Sequence, residues 1–294
     1  MELYQLRTFV AVAEEGHLTR AAERLSLSQP AVSAHIKALE EELGVSLFTR
    51  TPRGMQPTPA AMRLKDQAIK ALSVVSDLVR QAGIMREEVA GEVRVGMNTD
   101  PVFLRLVELV SALKAESPKL EVHLLQSMSG MIVDAVKAGR MDAGFVFWLA
   151  AAPDLRMRRL REISLKIVSP TCWADRIMDA TWEDLAEFPW IWTPPHCSFH
   201  QLAEKVFRSK GCMPDKVYTA DYEAIMKALV CSGKGLSIMR EDEAEAAFAD
   251  GELCIWPHGD LKVDLSFITL REREEDPLIQ ALVQAVRQVW GTEE

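Results

Sequence analysis

The chain has 294 residues, 48% of them hydrophobic and 26% charged, with a formal net charge of −9 and a pI near 5.3. That composition belongs to a folded chain with sizeable cores and excludes collagenous, mucin-like and acidic disordered classes. The acidic balance excludes a protein that coats nucleic acid through bulk charge, but it leaves room for a small DNA-reading module on an acidic carrier.

At roughly 150 residues per domain, two or three domains are expected. Five cysteines, Cys172, Cys197, Cys212, Cys231 and Cys254, form no CxxC pair. Their odd number argues against a disulfide framework or zinc ribbon, and buried inert thiols are expected. The opening MELYQLRTFVAVAEEGH lacks a basic region followed by an apolar run, so no secretory signal is read there. The most apolar run, Ala143 to Ala152, is about half the length of a bilayer span. A cytoplasmic protein with no membrane partner is expected.

In chain order, Leu3, Leu6, Phe9, Val10 and Ala13 have the spacing of an amphipathic helix that stops at Gly16. Leu18 to Leu25 predicts a short second helix with Ala21, Ala22 and Leu25 inward. Ser26-Leu27-Ser28 is a turn. Ser28 is a natural N-cap, and Pro30 tolerates the missing donor in a first turn. The third helix runs to Leu43 and stops at Gly44, with a core stripe of Val32, Ile36, Leu39 and Leu43. Pro30, Ala34 and Lys37 lie opposite that stripe, with Ser33 on the flank. Small and hydrogen-bonding side chains of this kind fit a major groove.

After Gly44, two β-type segments flank an Arg-Gly turn and predict a hairpin, a wing with Arg53 at its tip. A guanidinium there suits the negative potential of a minor groove. From Leu18 to Lys65 there are seven basic and four acidic residues, so the local balance is positive within an acidic chain.

Leu64, Ala68, Ala71, Val75, Leu78, Ala82 and Met85 follow spacings of 4 and 3 in alternation. That 3.5 period predicts a helix paired in a left-handed supercoil, hence a dimerisation helix. Two copies would bring two recognition helices to two half-sites.

From Gly91 onward β-type runs alternate with helical patterns. Glu92 to Met97 is a strand, Asn98 to Pro101 a turn into a helix through Leu113, and Leu120 to Leu125 a strand. Ser127 to Gly130 is a loop, Met131 to Ala138 a helix, and Asp142 to Trp148 a strand. This order implies parallel pairing. A second set follows from Leu165 to Met239, and Asp264 to Leu270 with Pro277 to Trp290 return to the first. Two α/β lobes then enclose a cleft, with ligand residues at strand ends and helix starts. Asn98, Thr99, Asp100, Ser127, Met128, Ser129, Phe147 and Trp148 are the candidates on one lobe. Pro195, His196, Ser198, Phe199 and Asp221 are those on the other. Asp100 beside Pro101 reads first as a helix cap, and it would oppose an anionic ligand. His196 and His200 are four apart but lack a third ligand, so no metal or cofactor is expected.

From Leu18 to Thr58 the chain resembles the LysR-type transcriptional regulators. The resemblance rests on the runs LTRAAERL from Leu18, SQPAVS from Ser28 and LEEELGVSLF from Leu39, with Arg50 and Arg53. The long helix, the two lobes and the run GKGLSIM from Gly233 to Met239 extend it over nearly the whole chain. It implies a winged helix-turn-helix joined through a long helix to a two-lobed α/β domain like periplasmic solute-binding proteins. The implied division is a DNA-binding domain at 1–58, with the helix-turn-helix at 18–37, a linker helix at 59–90 and an effector domain at 91–294. Its lobes would fall at about 91–162 with 267–294, and about 163–266.

By position, the resemblance places Thr19, Ser28, Gln29, Pro30 and Ser33 in the major groove. It places Lys37 and Arg50 on phosphates and Arg53 on the wing. Many members carry Arg or another long polar side chain where this chain has Ala34, and His35 or Lys37 would have to compensate. The implied partners are promoter DNA, a small-molecule effector and a second copy of the chain, as a dimer or tetramer, with RNA polymerase as a compatible further partner. A transport receptor is disfavoured by the helix-turn-helix. An enzyme is disfavoured because the chain has no Gly-rich phosphate loop, GxSxG elbow or metal cluster.

Overall fold

The structure is a computed structural model that describes residues 1–52, 54–84, 91–148, 152–259 and 261–292. The chain divides into two compact units, one of residues 1–89 with 138–140 and one of residues 90–137 with 141–294.

In the first unit, α1 (Leu3–Glu15) opens on a capping box between Glu2 and Gln5 and closes at Gly16, whose φ is 65°. The second helix, α2 (Leu18–Leu25), ends at Ser26 in the left-handed region. Helix α3 (Gln29–Leu43) is capped by Ser28, whose side chain accepts from Ala31 N at 3.3 Å. Strands β1 (Phe48–Thr51) and β2 (Gly54–Pro57) pair antiparallel from Phe48↔Pro57 to Thr51↔Gly54. Helix α4 (Pro59–Ile84) follows. Phe9, Val12, Ala21, Val32, Leu39 and Leu47 form a shared core that leaves each of them at most 1% exposed. The helix-turn-helix therefore has its own hydrophobic anchor beneath it.

The 3.5 repeat on α4 is divided in its role. Leu64 and Ala68 pack into this core because the start of α4 lies against α1. Further along, Leu78 is 67% exposed. The side chains of Ala82 and Met85 lie outside the described residues.

The second unit is α/β. Strands β3 (Gly91–Met97), β4 (Leu120–Gln126) and β5 (Ala143–Trp148) are parallel, with α5 (Leu106–Glu116) and α6 (Ser129–Lys137) between them. The long β6 (Leu155–Pro170) leads to short helices α7 (Ala174–Ile177) and α8 (Trp182–Ala186), then β7 (Trp190–Trp192), α9 (Ser198–Ser209) and β8 (Lys216–Thr219). Next come α10 (Glu223–Cys231), β9 (Ser237–Arg240), α11 (Glu241–Ala249), β10 (Leu253–Ile255), β11 (Leu261–Leu270) and α12 (Pro277–Trp290). Sheet order is β10-β6-β11-β5-β3-β4, with β9 also on β6 and β7 paired with β8.

The first lobe is β3, β4, β5, α5, α6 and α12, and the second is built around β7 to β10. The antiparallel pair β6 and β11 runs through both, so the lobes share continuous strands. Asp142 and Arg273, each 8% exposed at the side chain, pair at 2.7 Å and tie the approach to α12 back to the edge of β5.

Several sequence expectations differ from this structure. The five cysteines, expected buried, are exposed at Cys172 and Cys231 and half-buried at Cys197, Cys212 and Cys254. The helix read from Pro101 begins at Leu106. Asp100 Oδ1 takes the amides of Val102 at 2.5 Å and Phe103 at 3.0 Å, and Arg105 adopts φ 54°, so turns occupy the gap. The helix read from Met131 starts earlier, at Ser129. The first half of β6 and all of α11 escaped notice because LRMRRLRE and EDEAEAAFA carry little apolar periodicity. In β6 that polarity is answered by partners: Arg159 meets Asp264 at 2.7 Å and Arg158 meets Glu274 at 3.2 Å. Among the described residues no helix is long and apolar enough to cross a membrane.

Candidate nucleic-acid interface and ligand cleft

At the outer end of α3, Ser28, Gln29 and Pro30 are exposed, as are Ala34 and Lys37, while Ser33 is half-buried. Thr19, Gln29 and Arg50 line one concavity of about 270 Å³ with His17, Leu18, Thr51, Gly54 and Met55. Two side chains that can donate or accept and one guanidinium thus share a hollow between the start of α2, the start of α3 and the hairpin. Arg53 lies outside the described residues. Lys37 stands 3.6 Å from Glu41, both exposed, and such a pair yields readily to a phosphate.

The hairpin is fixed by backbone contacts. Met55 N donates to Gly16 O at 2.7 Å. A Cβ at Gly54, where φ is 121°, would stand 2.3 Å from Gly16 O, so only glycine allows this approach. His35 does not compensate for Ala34: its Nδ1 meets Thr8 Oγ1 at 3.0 Å and its ring meets Tyr4 at 4.5 Å, inside the unit. Glu40, read in the sequence only as part of an acidic run, accepts from Leu47 N at 2.6 Å and Phe48 N at 3.1 Å. It thereby positions the entry to the hairpin.

In the second unit a cavity of about 390 Å³ lies between the lobes. Of the sequence candidates, Asn98, Ser127, Met128, Ser129, Phe147, Phe199 and Asp221 line it. Asn98 is held by bonds from its nitrogen to Phe145 O at 3.2 Å and to its oxygen from Ser129 Oγ at 3.2 Å and Phe147 N at 2.9 Å. Phe147 and Phe199 stack across the lobes.

Other candidates do not line the cavity, for stated reasons. Thr99 is 2% exposed, and its hydroxyl sits between Glu223 and the buried Arg240. Asp100 caps the turn before α5 and borders a neighbouring cavity of about 520 Å³. Ser198 is buried and donates to Phe147 O. His196 reaches the first lobe through its backbone, where Gly130 N donates to His196 O at 3.1 Å. Pro195 is exposed, with its carbonyl facing Gln201 Nε2 at 3.3 Å. The side chain of Trp148 lies outside the described residues.

Cys197, inside the nominated stretch Pro194 to Phe199, lines the cavity too, whereas Gln126, Met131, Thr193, Tyr222, Glu223 and Met226 line it and were missed. Strand ends and helix starts were the right guide for Gln126, Tyr222 and Glu223, which adjoin nominated positions. Met131 and Met226 lie inside α6 and α10, where nothing local in the sequence marks a ligand wall.

Arg240, 1% exposed, organises the charges beside this cavity. It meets Asp242 at 3.0 Å, Glu243 at 3.1 Å and Glu223 at 3.3 Å, and its guanidinium lies 4.0 Å from the Phe103 ring centroid. Burial raises the Glu223 carboxyl above its ordinary range. Burial, with the nearby Glu223 charge, pushes Glu243 up to about 7. Burial also raises the Cys197 thiol, so it is no ready thiolate. Among the described residues no group of three or more metal-ligating side chains occurs.

A winged helix-turn-helix on one unit and a two-lobed ligand cleft on the other define a DNA-binding regulator of the effector-responsive class. Comparison with known proteins agrees. Residues 3–62 match the family described as bacterial regulatory helix-turn-helix protein, lysR family, and residues 86–291 match the LysR substrate binding domain. The chain belongs to the LysR family of DNA-binding transcriptional regulators with a C-terminal effector-binding domain.

The HTH-type transcriptional regulator BenM of Acinetobacter baylyi is 28% identical over 298 residues, covering 100% of this chain and 97% of that one. IlvR of Caulobacter vibrioides is 31% identical, covering 81% and 82%. The crystal structure of full-length BenM aligns with TM-score 0.55 at 27% identity over 99% of this chain and 97% of that one. Full-length CbnR complexed with its target DNA shares the fold, with TM-score 0.66 at 24% identity over 98% and 100%.

Proposed function

We propose that this chain binds promoter DNA as a homo-oligomer and that a small molecule in the interlobe cavity sets its output. The DNA-binding part would be 1–58, the linker helix 59–90 and the effector domain 91–294. In this reading Thr19, Ser28, Gln29, Pro30 and Ser33 approach base edges, Lys37 and Arg50 hold the backbone, and Arg53 serves the wing. Ser28 acts twice, because its hydroxyl also caps α3. The observation that carries the reading is the shared hollow of Thr19, Gln29 and Arg50, which puts polar reading groups and a phosphate-binding cation on one face.

The effector acts by population shift. It favours whichever lobe arrangement binds it better, and only by that difference in affinity. The lobes meet across the cleft at discrete contacts, among them Gly130 N to His196 O, Ser198 to Phe147 O and Thr99 with Glu223 and Arg240. The protein acts as a regulator and not as an enzyme, in line with relatives named as transcriptional regulators. Its place of action is the cytoplasm, where the DNA is.

Genome-wide mapping of sites bound by the full chain tests the DNA assignment, with the Arg50→Ala chain as comparison. Enrichment at promoters that falls in the variant is expected. No promoter enrichment of the full chain would overturn the DNA assignment, and equal occupancy by both chains would overturn the role of Arg50.

A further inference from the structure

The interlobe cavity carries two carboxylates, Asp221 and Glu223, and no lysine, arginine or histidine among its lining residues. Asp221 is exposed toward it and has no hydrogen-bond or ion-pair partner among the described residues. Glu223, Tyr222 and Gln126 also border the 520 Å³ cavity next door, whose wall adds Asp100 and Glu243. The one lysine there, Lys227, is paired with Glu252 at 2.6 Å. Arg240 is already surrounded by Glu223, Asp242, Glu243 and Thr99. The carboxylates around the cleft thus outnumber the cations available to balance them.

Helix starts are the usual alternative source of positive potential. Three border this cavity, and two of them are answered from within. Gly130 N, in the first turn of α6, donates to His196 O. Cys197 stands at the N-cap of α9 without a side-chain hydrogen bond to the helix amides. The Glu223 carboxylate occupies the first turn of α10. A full charge on Asp221 outweighs the residual half-charge of a helix end. The rest of the wall is apolar: Met128, Met131 and Met226, with the stacked Phe147 and Phe199.

We propose that the effector of this cleft is an organic amine, its ammonium beside Asp221 and Glu223 and its apolar body against the methionines and the Phe147–Phe199 pair. This rests on the reading of the cleft as the effector site. A carboxylate of the same shape meets uncompensated like charge and is rejected. Methionine walls accommodate varied hydrocarbon shapes, so the ammonium sets the class and the cavity volume sets the size.

The test is calorimetric titration of the full-length protein with phenethylammonium, hexylammonium, 3-phenylpropionate and 2-phenylethanol at millimolar concentration. At least one amine binds, the propionate does not, and Asp221→Asn weakens the amine about tenfold or more. Met131→Trp, which fills the cavity from an exposed position, abolishes the binding. Propionate binding that Met131→Trp removes, with no amine binding, overturns the amine class and leaves the cleft standing. Amine binding indifferent to Met131→Trp overturns the site itself. Silence from both amines overturns the proposal.

Discussion

Phe147, near the end of β5, and Phe199, in the first turn of α9, stack with ring centroids 5.2 Å apart and planes at 25°. One belongs to each lobe, and beside them the buried Ser198 hydroxyl donates to the Phe147 carbonyl. The closed edge of the cleft is therefore an aromatic contact reinforced by a hydrogen bond, and the same two rings form part of the ligand wall.

Truncating one ring separates these roles. Phe199 is 5% exposed, so Phe199→Ala should cost about 3 kcal/mol of the effector domain's stability. A thermal melt of the full-length protein checks this. A loss well under ~1 kcal/mol would show that the stack contributes little beyond filling space.

On the DNA-reading face, the assigned roles predict different salt behaviour. Gln29→Ala and Ser33→Ala should each reduce discrimination between cognate and mismatched sites by about 1–3 kcal/mol. Arg50→Ala should weaken binding to all sequences and lower the slope of log K against log salt by about 1. Fluorescence anisotropy at several salt concentrations distinguishes them. Identical losses on every DNA from all three would contradict the assignment.

Glu40 offers a third test, because it accepts two amides of the segment that enters the hairpin. Leu47 and Phe48 are both buried, so Glu40→Ala leaves two amides without an acceptor and should cost about 1–3 kcal/mol. Glu40→Gln keeps a carbonyl oxygen and should cost less. Its neighbour Glu41 pairs with the exposed Lys37, and Glu41→Ala should change stability by less than about 1 kcal/mol. Chemical denaturation of the three variants gives the ranking.

Glu40 also illustrates what sequence reasoning can reach. The third helix was legible because its signals are local: Ser28 caps it, Gly44 ends it, and Val32, Ile36 and Leu39 recur at helical spacing. The role of Glu40 depends on where a later segment folds back, so in sequence it was indistinguishable from Glu41 and Glu42. The cleft divides the same way. Strand ends gave Asn98, Ser129 and Asp221 because β-α order fixes which end of a sheet opens. Thr99 and Arg240 meet over 141 positions of sequence, and nothing local to either marks the partner. The polar first half of β6 was invisible because its arginines are balanced by carboxylates elsewhere in the chain, at Asp264 and Glu274.

The charge surplus around Arg240 predicts how stability depends on pH. Glu243 on α11 faces Arg240 from β9, Asp242 on its own helix, Glu223 from α10 and Asp100 from the turn before α5. Its carboxyl sits at about 7 in the folded protein against 4.5 ordinarily, so between those values the folded state holds a proton that the unfolded state has released. The stabilisation from that proton is complete below the ordinary value and is lost as pH rises through about 7. Melting temperature should therefore fall from mildly acidic to mildly alkaline buffer. Glu243→Gln removes this titration while keeping the shape, so the variant should decline less steeply and exceed the parent chain on the alkaline side. A residual slope should persist, because burial raises Glu223 in the same direction. Parallel melting curves for the two chains across that range would show that Glu243 is ionised in the fold and that Arg240 alone balances its neighbours.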